Sequence, residues 1–498
     1  MAKARPPVEK LPAGGSFWSC LGDFKSLLLT PFTVNCYRHS PISKWAVASR
    51  SEDIIMLMKI PVTLFVLSAG ITNYLVAGPV AEPGVFDVRE FDARGDGTTL
   101  DTKAIQKALD ACGKAGGGTV EFPAGVYLSQ PLTLRAKTIV RLEADATLLA
   151  STNQSDFMKA PGNWLQARSG SDFVPFISGK DLKDVTFTGK GVIDGNGAVW
   201  WGEAEKARQR RPGYTLPRPN LIVLERCQNV RVENIALQNS PKFHFVPTES
   251  EGVVVSNVTV IAPAGAANTD AIDPSGCKNV LITRCRIDVG DDNVAIKAGK
   301  KIAGREFACE DISVTDCTFL HGHGMSIGSE TVGGVRNVTV CDCTFENTEN
   351  GLRIKSQRGK GGIVEDINYR NITMENVNPA VTLTMYYMNN SAGDAAPPRA
   401  TGSNTTDAAF GDLPVYRNIR ISNLSATCPD IAGIINGLPD CMISNVVLEN
   451  VRISAAKSFE IRNARGIQLR NVAVSAKAGP PFETNNAQVD GLDHANEQ

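Results

Sequence analysis

The sequence predicts an all-β chain wound as a β-solenoid, with one helix near its N-terminal end acting as a cap. Three observations carry this reading. Gly is abundant at 45 residues, and Val, Ile, Thr and Asn recur throughout, a mixture suited to short strands and tight turns. An Asn or Asp followed by an alternating apolar run returns repeatedly: "DVTFTG", "NVRVENIAL", "NVTVIA", "NVLITRCRI", "DISVTDCTF", "NVTVCDCTF", "DINYRNITM" and "NIRISNLSA". Val280, Ile312, Val338 and Ile367 then mark steps of 32, 26 and 29 residues, and a period of roughly 20–50 residues is the mark of a solenoid or array. With no helical pattern between the runs, stacked strands are expected in place of helical repeats. Each coil then covers the strand edges of its neighbour, leaving edges only at the two ends.

Composition narrows the function. Of the 498 residues, 42% are hydrophobic, ample for a core, and 21% are charged, which argues against general disorder. The formal net charge is −1, so no global field points to nucleic acid, a membrane surface or an acidic ligand. Any preference for a charged partner must be local.

The N-terminus reads as unlike pieces. Residues 1–57 mix Pro, Arg, Ser and isolated aromatics without periodicity. Residues 58–81 supply a basic Lys59 and then 22 uncharged residues from Ile60 to Ala81. A basic start, an apolar centre and small residues at the end read as a secretory signal. Its internal position suggests that translation starts at Met56 or Met58. An uncleaved anchor is the rival reading, since the run is long enough to span a bilayer. Gly70, Asn73 and Pro79 dilute the run and favour the cleaved signal, with Ala77 and Ala81 as candidate cleavage positions. The product is thus expected to be secreted or periplasmic. Residues 82–498 form the expected functional domain.

Past the signal, "TKAIQKALDAC" places Ile105, Ala108, Leu109 and Cys112 at i, i+3, i+4 and i+7, with Asp101 or Thr102 as a cap. "GKAGGG" ends this helix, and "TVEFPAGVYL" begins the strands. The repeated Asn suits left-handed turn positions and a hydrogen-bonded ladder. The sequons at Asn257 and Asn337 therefore read as strand starts more than as glycosylation sites. Ten of the twelve cysteines lie beyond the signal, and none of their spacings resembles a zinc pattern. Export would allow a local Cys428–Cys441 pair; buried thiols are at least as well supported for Cys285, Cys317 and Cys343.

Four segments align on one apolar position: "NTDAIDP" at Ile272, "GDDNVAIKAG" at Ile296, "GHGMSIGSE" at Ile327 and "GLRIKS" at Ile354. The steps are 24, 31 and 27 residues, each close to one coil. Asp270, Asp291, Asp292, His323, Arg353 and Lys355 would then line one cleft. In "LRIK", alternation sends Leu352 and Ile354 inward and Arg353 and Lys355 outward. Glycoside hydrolysis needs one carboxylic acid to protonate the leaving oxygen and a second carboxylate on the opposite side. Three crowded aspartates should raise at least one pKa by like-charge repulsion. Arg353 and Lys355 would meet a carboxylate. The set suits cutting a sugar chain that is itself acidic.

At these residues the chain resembles glycoside hydrolase family 28, the polygalacturonases. "NTD", "GDD", "GHG" and "RIK" appear intact and in the family's order, and "GDGTTLDTKAIQKAL", "GGGTVEFPAGVYL", "IDGNGAVWW", "PRPNLI" and "NSPKFH" add to the likeness. It runs from about Phe86 to at least Tyr387. Asn293 departs from many relatives, which carry Cys or another residue there. The resemblance implies a right-handed parallel β-helix and inverting, single-displacement hydrolysis of α-1,4 bonds between galacturonates in de-esterified pectin. Asp291 would be the general acid, Asp270 and Asp292 would hold and deprotonate the attacking water, and His323 would tune the acid. Asn268, Arg353, Lys355 and Tyr387 would bind substrate, with Tyr386 competing for the tyrosine role. No metal or cofactor is implied. A monomer is expected, with no nucleic-acid partner and no stable membrane association once processed.

Other readings stay open. Alone, Asp270 is a turn residue, His323 a structural histidine, and Arg353 and Lys355 solvated strand positions; their shared register lifts them above this. A rhamnogalacturonan hydrolase of the same family is an alternative, although retention of both Arg353 and Lys355 favours galacturonate. A calcium-dependent pectate lyase would use Asp291 and Asp292 as ligands, and a non-catalytic polysaccharide-binding solenoid would use none of this chemistry. Trp200 and Trp201 are expected to pack more than to stack on sugar, and residues 205–214 to form a solvated loop. The stretch from Gly195 to Pro219 is long enough to close one end of the cleft, the feature on which endo or exo action turns.

Overall fold

The computed structural model describes residues 84–211, 214–300, 307–387 and 413–493. The upstream segment and the signal expected up to residue 81 lie outside them. Among the described residues, no helix is long and apolar enough to cross a membrane. All strand ladders are parallel, each strand pairing with its counterpart one coil away. The chain is a parallel β-helix.

One coil shows the plan. Lys278–Thr283 and Arg286–Asp288 are followed by a turn and then by strand β1, Val294–Ile296. The next coil repeats this with Cys309–Thr315, Thr318–Phe319 and β2, Met325–Gly328. Later coils contribute β3, Leu352–Lys355, and β4, Val381–Thr384. Val280, Ile312, Val338 and Ile367 are lateral partners, so the predicted steps are those of the coils. Inward positions hold Val, Ile, Leu and stacked aromatics such as Phe319 and Phe345, whose ring centroids are 4.7 Å apart. Each such side chain contributes roughly 1.5–3 kcal/mol by leaving water.

The corners follow from backbone sterics. The long strands each carry a left-handed residue inside them, near the start in all but the last: Asp184, Asn229, Gly252, Asn279, Asp311, Asn337, Asp366, Asn418, Asn445 and Gly466. Asn and Asp tolerate that region through local side-chain hydrogen bonds, and Gly needs none. The amides also stack. Asn371 donates to Asp342 at 2.9 Å, Asn423 to Asn371 at 2.9 Å and Asn450 to Asn423 at 3.1 Å. The two named sequon residues, Asn257 and Asn337, belong to such ladders, Asn257 donating to Asn234 and Asn337 to Asp311.

Helix α1, Thr102–Lys114, lies over the first coils and buries Ala104, Ile105, Ala108, Leu109 and Cys112. Its expected side-chain cap is absent. Asp101 turns away to accept from the Arg94 and Gly95 amides at 2.8 and 2.9 Å, and Thr102 Oγ1 accepts from Gln130. Both groups tie the helix to neighbouring segments instead.

Two further expectations need correction. Residues 205–210, expected as loop, belong to helix α2, Ala198–Arg210. Only Trp200 and Ala204 of it are buried, too few to leave a helical period in the sequence. Trp200 packs edge-on against Phe157, Trp164 and Phe173. Cys428 and Cys441 are both free thiols; the Cys428 sulfur lies near the Ala432 carbonyl and Cys441 donates to Pro414 O at 3.3 Å. Cys285, Cys317 and Cys343 are buried free thiols as expected.

Candidate active site

Three of the motifs meet at the turn leading into the third strand of successive coils, and the fourth, "RIK", lies in such a strand on the next coil. Ile296, Ile327 and Ile354 are in register as expected. Ile272, however, pairs with Val294 and not with Ile296, a step of 22 residues. A slip of two preserves which face each side chain takes, so alternation alone does not detect it. The true register sets Asp270 beside Asp292, with the Ala271 amide donating to Asp292 O at 3.0 Å.

The three aspartates occupy different environments. Asp291 is the most open, with a side chain 15% exposed against 4% for Asp270 and 3% for Asp292. Its Oδ1 accepts from the Asp292 amide at 2.9 Å and lies 3.0 Å from His323 Nδ1. Its Oδ2 accepts from the Asn268 amide and Nδ2 at 3.2 and 3.4 Å. Asp292 is hydrogen-bonded on both oxygens. Its Oδ1 accepts from Ser326 Oγ at 2.9 Å and from Arg353 Nη2, and its Oδ2 accepts from Lys355 Nζ at 2.8 Å. Arg353 Nε also donates to Ser326 Oγ at 2.9 Å. Asp270 Oδ2 receives Lys297 Nζ at 3.0 Å, while Asp270 Oδ1 is buried without a hydrogen-bond partner among the described residues.

Backbone geometry fixes these positions. Gly322 and Gly324 have φ of 118° and 76°. A Cβ on Gly322 would lie 2.5 Å from Asp291 O, and one on Gly324 would lie 2.0 Å from Asn350 O. The "GHG" turn thus lies flush against the coils on both sides, with His323 between them. Asn293 is fully buried. It donates to His321 O at 2.9 Å and accepts from the Gly324 amide at 2.8 Å, so it clamps the "GDD" turn to the "GHG" turn.

Electrostatics separates the acids in a way that like-charge repulsion alone did not anticipate. Burial is the main influence on Asp270 and drives its pKa well up, against the pull of Lys297. Burial also acts on Asp291 and Asp292. For Asp291, the hydrogen bond and charge of His323 outweigh it, and for Asp292 the Lys355 and Arg353 charges do, so both lie below the usual carboxylate range. Burial works against a charged His323, yet Asp291 and Glu349 outweigh it and raise its pKa to about 10. Glu349 Oε2 lies 3.0 Å from His323 Nε2.

The description "Glycosyl hydrolases family 28" belongs to the family model that matches residues 112–465. The chain belongs to that family. The endo-polygalacturonase of Pectobacterium carotovorum subsp. carotovorum is 34% identical over 382 residues, covering 74% of this chain and 88% of that one. A probable polygalacturonase of Vitis vinifera is 32% identical, covering 75% of each chain. Among solved structures, the polygalacturonase from Erwinia carotovora ssp. carotovora is 31% identical with a TM-score of 0.62, over 82% of this chain and 97% of that chain.

As a family 28 glycoside hydrolase, the protein brings together all of its sequence-derived candidates, and the geometry refines several. Arg353 and Lys355 do project away from the interior, but they are buried and bound to Asp292, so they do not stand free. Tyr387 is the tyrosine beside the site, with Lys355 Nζ 5.0 Å from its ring centroid, whereas Tyr386 packs against the core. Sequence reasoning missed Glu349, Ser326, Lys297 and Asp273. Lys297 bridges Asp270 and Asp273, and both lie inside quoted motifs, where a second buried acid facing a strand lysine was a usable signal. Arg218, from "PRPNLI", was also missed as a site residue. It is buried, donates to Pro241 O, Leu216 O and Ala267 O, and reaches Asn268 Oδ1 at 3.3 Å.

Asp291, Asp292 and His323 offer ligand atoms within 4.8 Å of one another. They do not fit a calcium ion, because Arg353, Lys355 and Ser326 already occupy both oxygens of Asp292 and His323 Nδ1 faces Asp291.

The histidines should titrate on opposite sides of their ordinary value of 6.5. Fully buried His244, which accepts from the Ser240 amide, is pushed down to about 4, chiefly by burial. His323 holds its proton to about 10. The His323 value lies above the ordinary one, so its stabilisation is complete below about pH 6.5 and is lost as pH rises toward 10. Ring-proton magnetic resonance across pH reads both directly. A His323 titrating near its ordinary value would contradict the ion pair.

Proposed function

We propose that the protein is a secreted polygalacturonase that cuts α-1,4 bonds between galacturonates in de-esterified pectin, with inversion, acting as a monomer. The observation that carries this is the division of labour among three stacked aspartates. One is open and paired with a protonated histidine, one is held ionised by two cations, and one is buried with an uncommitted oxygen.

In this reading Asp291 delivers the proton. It is ionised in the free protein, and His323 keeps a proton 3.0 Å away, so the pair acts as the general acid. A bound uronate adds negative charge and excludes water, both of which raise the Asp291 pKa. The His323 Nδ1 proton passes to Asp291 and from Asp291 to the leaving oxygen, and solvent reprotonates His323. Asp270 receives the proton of the attacking water. Its raised pKa makes it the stronger base once ionised, and its free Oδ1 is the acceptor that orients the water. Asp292 is too heavily hydrogen-bonded to be a good base; it holds Arg353 and Lys355 where the uronate carboxylate shares them. The new bond is between the water oxygen and the anomeric carbon, and the bond broken is to the departing sugar oxygen. Rate should therefore rise with pH as Asp270 ionises.

The test is digestion of polygalacturonate with and without a chelator. New reducing ends, no ultraviolet-absorbing unsaturated product and indifference to chelator are expected. Unsaturated products or chelator inhibition would make it a lyase, and binding without any product would make it a non-catalytic solenoid. Equal rates on fully methyl-esterified pectin would sink the carboxylate role of Arg353 and Lys355.

A further inference from the structure

Beside Asp270, on the side away from Arg353 and Lys355, the site carries a cation that the chemistry above does not use. Lys242 belongs to "NSPKFH", one coil before Asp270. That segment is stacked directly on the aspartate, the His244 amide donating to Asp270 O at 2.8 Å. Lys242 Nζ lies 4.3 Å from the centroid of the Phe243 ring, and Lys297 Nζ lies 4.2 Å from the same centroid.

The two lysines differ in their commitments. Lys297 is bound to Asp270 and Asp273. Among the described residues, no carboxylate accepts from Lys242, and its side chain is largely but not completely covered. Burial and the charges of Lys297 and Arg218 work against its proton, with Asp270 and Asp273 opposing them, and its pKa falls to about 8. An ammonium held among other cations with no anion of its own is electrostatically poised to receive one. The half-exposed Trp201 is pinned to the same stretch, its indole N–H donating to Ser240 O at 3.1 Å. A flat apolar ring and an uncommitted cation thus border one segment, the polar and apolar pair that an acidic sugar requires.

We propose that Lys242 is a specificity-determining contact whose ammonium takes the carboxylate of the uronate lying across the scissile bond from Arg353 and Lys355. The inference rests on the polygalacturonase reading and deepens it, because free carboxylates are then read on both sides of the bond being cut. A backbone in which uronates alternate with neutral sugars would satisfy only one side. The substrate class is accordingly a run of unesterified uronates.

Steady-state kinetics of Lys242→Met, Lys242→Gln and Lys242→Arg on polygalacturonate, and on a heavily methyl-esterified counterpart, tests this. Losing one charge-assisted contact should raise KM on polygalacturonate about tenfold or more in both neutral variants, with kcat within about twofold. Lys242→Arg should restore KM, and wild type and neutral variants should converge on the esterified substrate. An unchanged KM in both neutral variants would overturn the assignment. So would a loss of kcat that the Arg variant leaves unrepaired, which would mark Lys242 as a support for Phe243 and Lys297. A wild-type protein that released no reducing ends would instead fail the polygalacturonase reading itself.

Discussion

Asp291→Asn should lower kcat on polygalacturonate by about 10²–10⁴-fold, the range of a positioned general acid, while leaving the fold intact. The amide keeps the shape of the carboxylate, and its Oδ1 can still accept from the Asp292 amide that now donates to Asp291. It cannot carry the proton. A second readout separates this from a general disturbance. His323 loses the anion that, with Glu349, raises its pKa to about 10, so its titration should move down toward the ordinary range. A variant with near-normal kcat, or one with normal His323 titration, would place the acid elsewhere.

The contrasting result is expected at the adjacent residue. Asp292→Ala should cost roughly 3–5 kcal/mol of stability, because it strands two buried cations without their counter-charge. Arg353 and Lys355 side chains are only 10% and 5% exposed and share Asp292 as their carboxylate. Asp292→Asn, which retains an acceptor oxygen, should be milder in stability yet still severely impaired in rate. Urea unfolding monitored by circular dichroism measures the first effect. An Asp292→Ala protein within about 1 kcal/mol of wild type would mean that the two cations find water or other acceptors at little cost. Two neighbouring aspartates would thus be distinguished by one assay each, activity for Asp291 and unfolding for Asp292.

The architecture was legible because its signals are periodic. The αL corners mostly take Asn, Asp or Gly, and the inward positions take apolar side chains, so each coil writes much the same pattern into the chain. The site was legible because four polar motifs fell on that pattern. Partnership was not legible. Alternation shows that Arg353 and Lys355 leave the interior, but not that Asp292 holds them from two coils away. Nor did it show the two-residue slip at Ile272, since any even shift preserves the faces. The crowding of three acids was expected to raise a pKa by repulsion; burial dominates at Asp270, while cations overrule repulsion at the "GDD" pair. Helix α2 and Glu349 were hidden for a simpler reason. A helix that buries two side chains and an acid on an exposed turn leave no periodic trace.

The lateral stacking of β1, β2 and β3 has a consequence for how such a site can vary. Asp292, Ser326 and Arg353 sit on three consecutive coils, joined through the Ser326 hydroxyl. Adjacent parallel strands are about 4.8 Å apart, so groups on different coils are separated in whole multiples of that spacing. The scaffold works as a ruler with fixed graduations. A substitution can change which chemical group stands at a mark, and a loop can lengthen between marks, but the marks themselves do not move. Changing the reach between the acid pair and the cations would require adding or deleting a complete coil.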